Sequence, residues 1–121
     1  MFKHFINDEF RCKCCEELPV GGMSTKLLDL LDDLRDKVGK SVFVSSGYRC
    51  PSHNASSGGV KGSYHTLGMA SDIFVIGLLP IELAKICVDV GFTGIGVYDT
   101  FVHVDVRDSD EIIIFKGAEL F

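Results

Sequence analysis

Four histidines stand in the 121-residue chain, and two of them keep company that could do chemistry. In "GSYHTLGMASD" (62–72), His65 precedes Asp72 by seven positions, with glycine and alanine among the residues between. In "FVHVDVR" (101–107), His103 stands two residues before Asp105. Two imidazoles and one carboxylate are a sufficient protein set for a catalytic zinc, because three protein ligands leave a fourth position open. The ion is a Lewis acid there and brings the pKa of a water to about 7. His65, Asp72 and His103 fit that set. Spacing alone still favours the plainer reading, a surface histidine, a strand aspartate and a second histidine with no common task.

The elements around these residues must bring them together. "MASDIFVI" (69–76) alternates as a strand, with Ala70, Asp72 and Phe74 on one face. Gly68 permits a turn into it that a Cβ would obstruct, and Ala70 keeps the approach uncrowded. "GIGVY" (94–98) and "FVHVDVR" read as a hairpin turning at Asp99–Thr100. Val102, Val104 and Val106 share one face of its second strand; Phe101, His103, Asp105 and Arg107 share the other. The clearest helix spans about 25–38, where Leu27, Leu30, Leu31, Leu34 and Val38 make one stripe, with Ser24 as N-cap and Gly39 just past the end. "SVFVSS" (41–46) and "EIIIF" (111–115) read as strands. "PIELAKICVDVG" (80–91) reads as a helix opened by Pro80, with Ile81, Ala84, Cys87 and Val88 inward. "FINDEF" (5–10) suits a short helical turn, and 47–63 a long loop of the kind that carries function. The expected fold class is α+β: a single domain over 1–121, a largely antiparallel sheet packed with helices, and residues 1–20 as an N-terminal leader segment packed on it.

Hydrophobic residues make up 46% and charged residues 24% of the chain, which is a globular balance rather than a disordered one. The net charge of −5 disfavours nucleic acid and anionic membranes as partners. No apolar run reaches the ~20 residues of a membrane span, and "MFKHFINDEF" has no continuous apolar segment. The expectation is synthesis in the cytoplasm without a signal peptide, and no membrane insertion. The five cysteines are an odd number, which argues against a disulfide framework. Cys12, Cys14 and Cys15 form the cluster "RCKCC". It reads as buried or partly exposed thiols rather than a metal site, since a second ligand pair is missing unless Cys50 or His4 folds back.

Three segments, "SGYRCPSHN", "GGVKGSYHTLGMASDI" and "GIGVYDTFVHVDVR", together resemble the zinc D-Ala-D-Ala carboxypeptidase family with the Hedgehog/DD-peptidase fold. That family's Ser-x-His-x-x-Gly-x-Ala-x-Asp motif matches Ser63, His65, Gly68, Ala70 and Asp72 without a gap. Its His-x-Asp matches His103 and Asp105, and its Ser-Gly-Tyr-Arg matches Ser46 to Arg49. The resemblance covers about residues 42–107, and the N-terminal "FKHFINDEFRCKCC" is similar to the leader of small phage and bacterial members.

The resemblance implies one zinc ion held by His65, Asp72 and His103. It implies Arg49 as the group that grips a carboxylate or carbonyl of the substrate, a task suited to a guanidinium fork, and Ser63 as a hydrogen-bond donor to substrate. Many relatives place a carboxylate three positions before the last histidine ligand; here that residue is Thr100, which cannot serve as a base. Asp99 is the expected general base instead, on the face of His103 if the strand is extended there. Tyr98 is a candidate oxyanion binder, and Asp105 a hydrogen-bonding support for a ligand or for Arg49.

The implied function is a zinc metallopeptidase hydrolysing an amide bond in the stem peptides of peptidoglycan in the bacterial cell wall. It would act either as a D-Ala-D-Ala carboxypeptidase or as an endolysin-like endopeptidase, and as a monomer. The alternative is a non-catalytic, zinc-stabilised module that binds cell-wall peptide. A thiol enzyme built on Cys50 and His53 lacks a visible orienting group.

Overall fold

The computed structural model describes residues 5, 7–13, 15–19, 21–50 and 64–116. Ser63, together with His4, Cys14, His53 and most of the long loop expected over 47–63, lies outside the described residues.

Helix α1 runs Thr25–Val38. The Ser24 side chain accepts the Leu27 N–H at its start, and Gly39 ends it in the left-handed region at φ 73. Leu27, Leu31 and Leu34 of the expected stripe are buried together with Leu28, while Leu30 and Val38 are only partly buried. Helix α2 runs Pro80–Val90. Pro80 suits its first turn, where a missing N–H costs nothing, and the Glu82 carboxylate reaches back to accept the Leu79 N–H at 2.9 Å. Its buried residues are Leu83, Ala84 and Cys87. Ile81, expected inward, is instead half exposed at 50%, because the stripe facing the sheet is 83, 84 and 87. Single 3₁₀ turns form at Asn7–Phe10 and at Tyr64–Leu67, so His65 sits on a helical turn rather than an open loop.

Five strands follow: β1 Phe43–Ser46, β2 Ala70–Phe74, β3 Gly94–Val97, β4 Val102–Asp105 and β5 Ile113–Lys116. They form one sheet in the order β1-β2-β4-β3-β5. Three of the four pairings are antiparallel; β3 and β5 run parallel. The largely antiparallel expectation therefore holds with one exception, and the exception has a simple cause. The 106–112 connection carries the chain past β3 to its far side, so β5, reversed relative to β4, must run with β3.

The register decides what meets what. Ser46, Asp72, His103, Gly96 and Phe115 stand in one row across all five strands. Ala70, Asp105, Gly94 and Ile113 form the row two positions along. On the opposite face Ile73, Ile95, Val102 and Val104 are fully buried in a core shared with the α1 leucines and with Leu83 and Cys87. Complete burial is worth about 1.5–3 kcal/mol for each such side chain, so one face of the sheet anchors the fold and leaves the polar face free for chemistry.

Candidate metal centre

Three side chains converge on the polar face. Asp72 of β2 and His103 of β4 are register partners, and His65 reaches them from the turn that leads into β2. Gly68 makes that approach possible: it adopts φ 71, and a Cβ there would collide with the Pro19 ring. The chain then closes on itself, with the Ser24 N–H donating to the Gly68 carbonyl at 2.9 Å and the Met69 N–H to the Tyr64 carbonyl at 3.1 Å. The steric reason given by the sequence for Gly68 is the one the backbone uses.

The converging atoms form a nearly equilateral triangle. His65 Nε2 lies 3.1 Å from Asp72 Oδ1, His103 Nδ1 lies 3.3 Å from Asp72 Oδ1, and the two ring nitrogens are 3.3 Å apart. A tetrahedron with metal–ligand bonds of about 2.0–2.1 Å has edges of about 3.3 Å. All three residues are buried, with exposures of 3%, 4% and 8% for His65, Asp72 and His103.

The outward nitrogens decide the protonation of the inward ones. His65 Nδ1 faces the Gly47 carbonyl at 2.7 Å. A carbonyl only accepts, so Nδ1 carries the proton and, in the neutral ring, Nε2 presents a lone pair. His103 Nε2 faces Asp105 Oδ2 at 2.7 Å, which by the same logic leaves a lone pair on Nδ1. Two imidazole lone pairs and a carboxylate oxygen then point at one place with no proton between them. A metal ion at that place satisfies such an arrangement. Burial lowers the His103 pKa, but Asp105 and Asp72 together raise it above the usual imidazole value. Burial likewise works against ionised Asp72, yet its bonds with His103 and His65 hold its carboxyl well below the usual carboxylate range.

Each member has a support. Asp72 Oδ2, the oxygen turned away from the triangle, accepts Arg49 Nη2 at 3.0 Å, and Arg49 Nε donates to Ser46 Oγ at 3.1 Å. The Arg49 N–H also donates to the His65 carbonyl. Asp105 is fully buried and receives, besides His103, three donors from Arg107: its N–H at 3.1 Å, Nε at 2.8 Å and Nη2 at 2.6 Å. Burial would raise its pKa, but the bonds from Arg107 and His103 hold it far below the usual range. Asp105 is thus the support behind His103 and has Arg107, not Arg49, as its cation. The sequence signal for Arg107 is its place on the face of His103 and Asp105.

Gly94 and Gly96 make room on this face. A Cβ on Gly94 would collide with the Asp105 carboxylate, and one on Gly96 with the Phe115 ring, which approaches the His103 ring at 5.6 Å. Glycine inside a strand often marks such a close approach, and "GIG" was the available signal.

Tyr98 stacks on Phe101 at 4.3 Å. Burial, with help from the Asp72 charge and against that of Arg49, raises its pKa, so its hydroxyl lies within electrostatic reach of both. Asp99 lies in the exposed turn between β3 and β4, closed by the Tyr98 N–H on the Phe101 carbonyl at 3.0 Å. The strand is not extended through Asp99, so the alternation expected to place it with His103 does not apply there. Among the described residues the converging group is His65, Asp72 and His103, without Asp99. A recess of about 570 Å³ lined by Phe5, Glu9, Arg35 and residues 41–44 involves none of these side chains. Among the described residues no helix is long and apolar enough to cross a membrane.

Comparison with known proteins gives this geometry a context. The profile of the peptidase M15 family matches residues 3–105. The chain is 32% identical over 111 residues to the peptidoglycan L,D-endopeptidase MepK of Escherichia coli strain K12, and equally to that of Escherichia coli O157:H7 and of Shigella flexneri. These matches cover 84% of this chain and 58% of each relative, so the chain spans little more than half their length.

Proposed function

The chain belongs to the peptidase M15 family, and on that premise we propose that it is a zinc metallopeptidase hydrolysing an amide bond in the stem peptides of bacterial peptidoglycan. One observation carries the metal part of this reading: three potential ligand atoms, one each from His65, Asp72 and His103, stand 3.1–3.3 Å apart with their outward partners already bonded. In this reading His65, Asp72 and His103 hold one zinc ion, which when bound supplies a Lewis acid for the amide carbonyl and makes a water acidic near neutral pH. The substrate class is supported by what the similar relatives are called. The name L,D-endopeptidase favours cleavage between an L- and a D-residue over removal of a terminal D-Ala.

The chain's own residues take the remaining tasks. Arg49 carries one fork edge on Asp72 and Ser46 and is proposed to hold a substrate carboxylate or carbonyl with the rest of its donors. Tyr98 is proposed to donate to the developing oxyanion, and its raised pKa keeps the hydroxyl a donor. Ser63, which the family motif matches, is proposed as a hydrogen-bond donor to substrate. Hydrolysis moves one proton from water to the leaving amine, and Asp99 is the proposed carrier. Asp105 keeps the His103 proton on Nε2. The enzyme acts on the cell wall, as a monomer.

The alternative, a zinc-stabilised module that binds wall peptide without cutting it, is favoured by one residue: Thr100, with no proton-accepting carboxylate, next to Asp99. Digestion separates the two. Zinc-loaded protein is incubated with purified muropeptides and the products are weighed by mass spectrometry, with chelator-treated protein as control. Fragments split at an L–D bond are expected. Loss of a single D-Ala would move the assignment to a carboxypeptidase, and intact muropeptides with zinc bound would favour the binding module.

A further inference from the structure

The "RCKCC" cluster gains a partner in three dimensions. The Cys12 N–H donates to the Glu17 carbonyl at 2.9 Å, and the Glu16 N–H donates to the Cys12 carbonyl at 2.8 Å. Together they close a tight loop. Glu16 pays for the closure with φ 61, the one positive φ outside glycine among the described residues, and Arg11 Nη1 braces its carbonyl at 3.0 Å. The loop returns Cys15 to the side of Cys12. Cys50 then folds back onto both, from 38 positions away. The segment that carries it is tied to the N-terminal turn by the Tyr48 N–H on the Phe10 carbonyl at 2.8 Å. The Cys50 N–H points at Cys12 Sγ at 3.4 Å. The sulfurs of Cys12, Cys15 and Cys50 all lie within 4.8 Å of one another.

We propose that Cys12, Cys15 and Cys50 bind a second zinc ion, which ties the N-terminal loop to the segment after β1 and is separate from the His65, Asp72 and His103 group. A zinc–thiolate tetrahedron with bonds of about 2.3 Å has sulfur–sulfur edges of about 3.8 Å, and the cluster needs only a small contraction to reach that. Cys12 and Cys15 have the two-residue separation of a zinc knuckle. Three thiolates select a soft or borderline ion such as zinc over magnesium or calcium. The backbone N–H aimed at Cys12 Sγ is the kind of support that a metal-bound thiolate takes from its surroundings. Cys12 is buried and Cys15 exposed, so the fourth position opens toward the surface.

The consequence reaches the first site. Residues 47–50 hold two of its supports: the Gly47 carbonyl on His65 and the Arg49 guanidinium on Asp72. Gly47 also packs so tightly on Phe10 that a Cβ would collide with that residue's backbone. An ion joining Cys12 and Cys15 to Cys50 would clamp this segment from its far end and fix the posture of both supports.

The test counts metal. Full-length protein is prepared in reductant with zinc, freed of loose ion and analysed by mass spectrometry for metal content. Two zinc ions per chain are expected, one in Cys15→Ser, one in His65→Ala and none in the double variant. Cys15 is exposed, so its change to serine spares the core; far-ultraviolet circular dichroism checks that the fold persists. Cobalt replacing zinc should show thiolate-to-metal charge-transfer absorption in the native chain and in His65→Ala, and lose it in Cys15→Ser. A single zinc that vanishes with His65→Ala, without that absorption, would overturn the second site. So would recovery of a disulfide among Cys12, Cys15 and Cys50 from protein never exposed to oxidant. The converse result, zinc lost with Cys15→Ser and unchanged in His65→Ala, would keep this inference and sink the assignment of His65, Asp72 and His103.

Discussion

Asp105→Asn is the substitution that most sharply probes how the sheet prepares the proposed metal ligands. The carboxylate takes four donors on two oxygens. Oδ1 accepts the Arg107 N–H and Nε; Oδ2 accepts Arg107 Nη2 and His103 Nε2. Asparagine must place its NH₂ on one side or the other, and either choice sets a donor against two donors. Hydrogen bonds to charged groups are worth about 1.5–3 kcal/mol each, so losing two should cost about 3–6 kcal/mol if nothing relaxes. The cheapest relaxation lies with His103, which can move its proton from Nε2 to Nδ1 and accept from the amide. Arg107 has no acceptor to offer. Yet Nδ1 is the atom facing His65 Nε2 and Asp72 Oδ1, and a protonated Nδ1 cannot hold a metal.

Zinc affinity should therefore fall about 10–100-fold, the usual effect of removing a partner behind a ligating histidine, or about 1.4–2.7 kcal/mol. Competition with a chromophoric chelator measures it. The decisive control is the Arg107→Met background, which removes Nε and Nη2. There the amide can turn its NH₂ away from His103, the Nε2 proton can stay, and the loss in affinity on Asp105→Asn should be smaller than in the native background. Folded Asp105→Asn protein with native zinc affinity would refute the tautomer argument. Equal losses in both backgrounds would show that Arg107 has no part in it.

Three further outcomes follow from the same geometry. Gly94→Ala should lower stability by about 1–3 kcal/mol, because its Cβ collides with the Asp105 carboxylate; urea unfolding followed by circular dichroism measures it. Asp105 has a depressed folded pKa, so its contribution to stability is full above the unfolded value of about 3.9 and is lost as pH falls through the folded one. In metal-free protein, Arg107→Met should move that acid loss to higher pH, and an unchanged acid transition would count against the pairing. Cys87 is buried among α2 and the core, and burial pushes its thiol up to about 12; it should stay unreactive toward a thiol reagent until the protein is unfolded.

The parts of the site that could be read in the sequence are those where the side-chain type states the role. His65, Asp72 and His103 have side chains that could hold a metal, and the family resemblance rather than their spacing groups them; the Ser24 and Gly39 caps of α1 follow from local backbone requirements. The supports were less legible because they depend on register. Arg107 is visibly on the face of His103, but its bond to Asp105 rather than to solvent requires that Gly94 stand opposite Asp105 and leave space. Strand alternation says nothing about Asp99, because the chain turns there. Cys50 meeting Cys12 depends on how the N-terminal turn docks on the chain leaving β1, a contact with no local signal in either segment.

Register also explains why the polar face and the core cannot be altered separately. Ile73 and Val102 are register partners beside Asp72 and His103, facing the helices. A one-residue shift of β2 and β4 would turn every side chain to the other face, driving two carboxylates and an imidazole into the core. The valines at 102, 104 and 106 are thus as much a condition for the triangle as the ligands: each fixes its neighbour's direction by being apolar. The burial that stabilises the sheet is also what brings the three side chains to within 3.3 Å of one another.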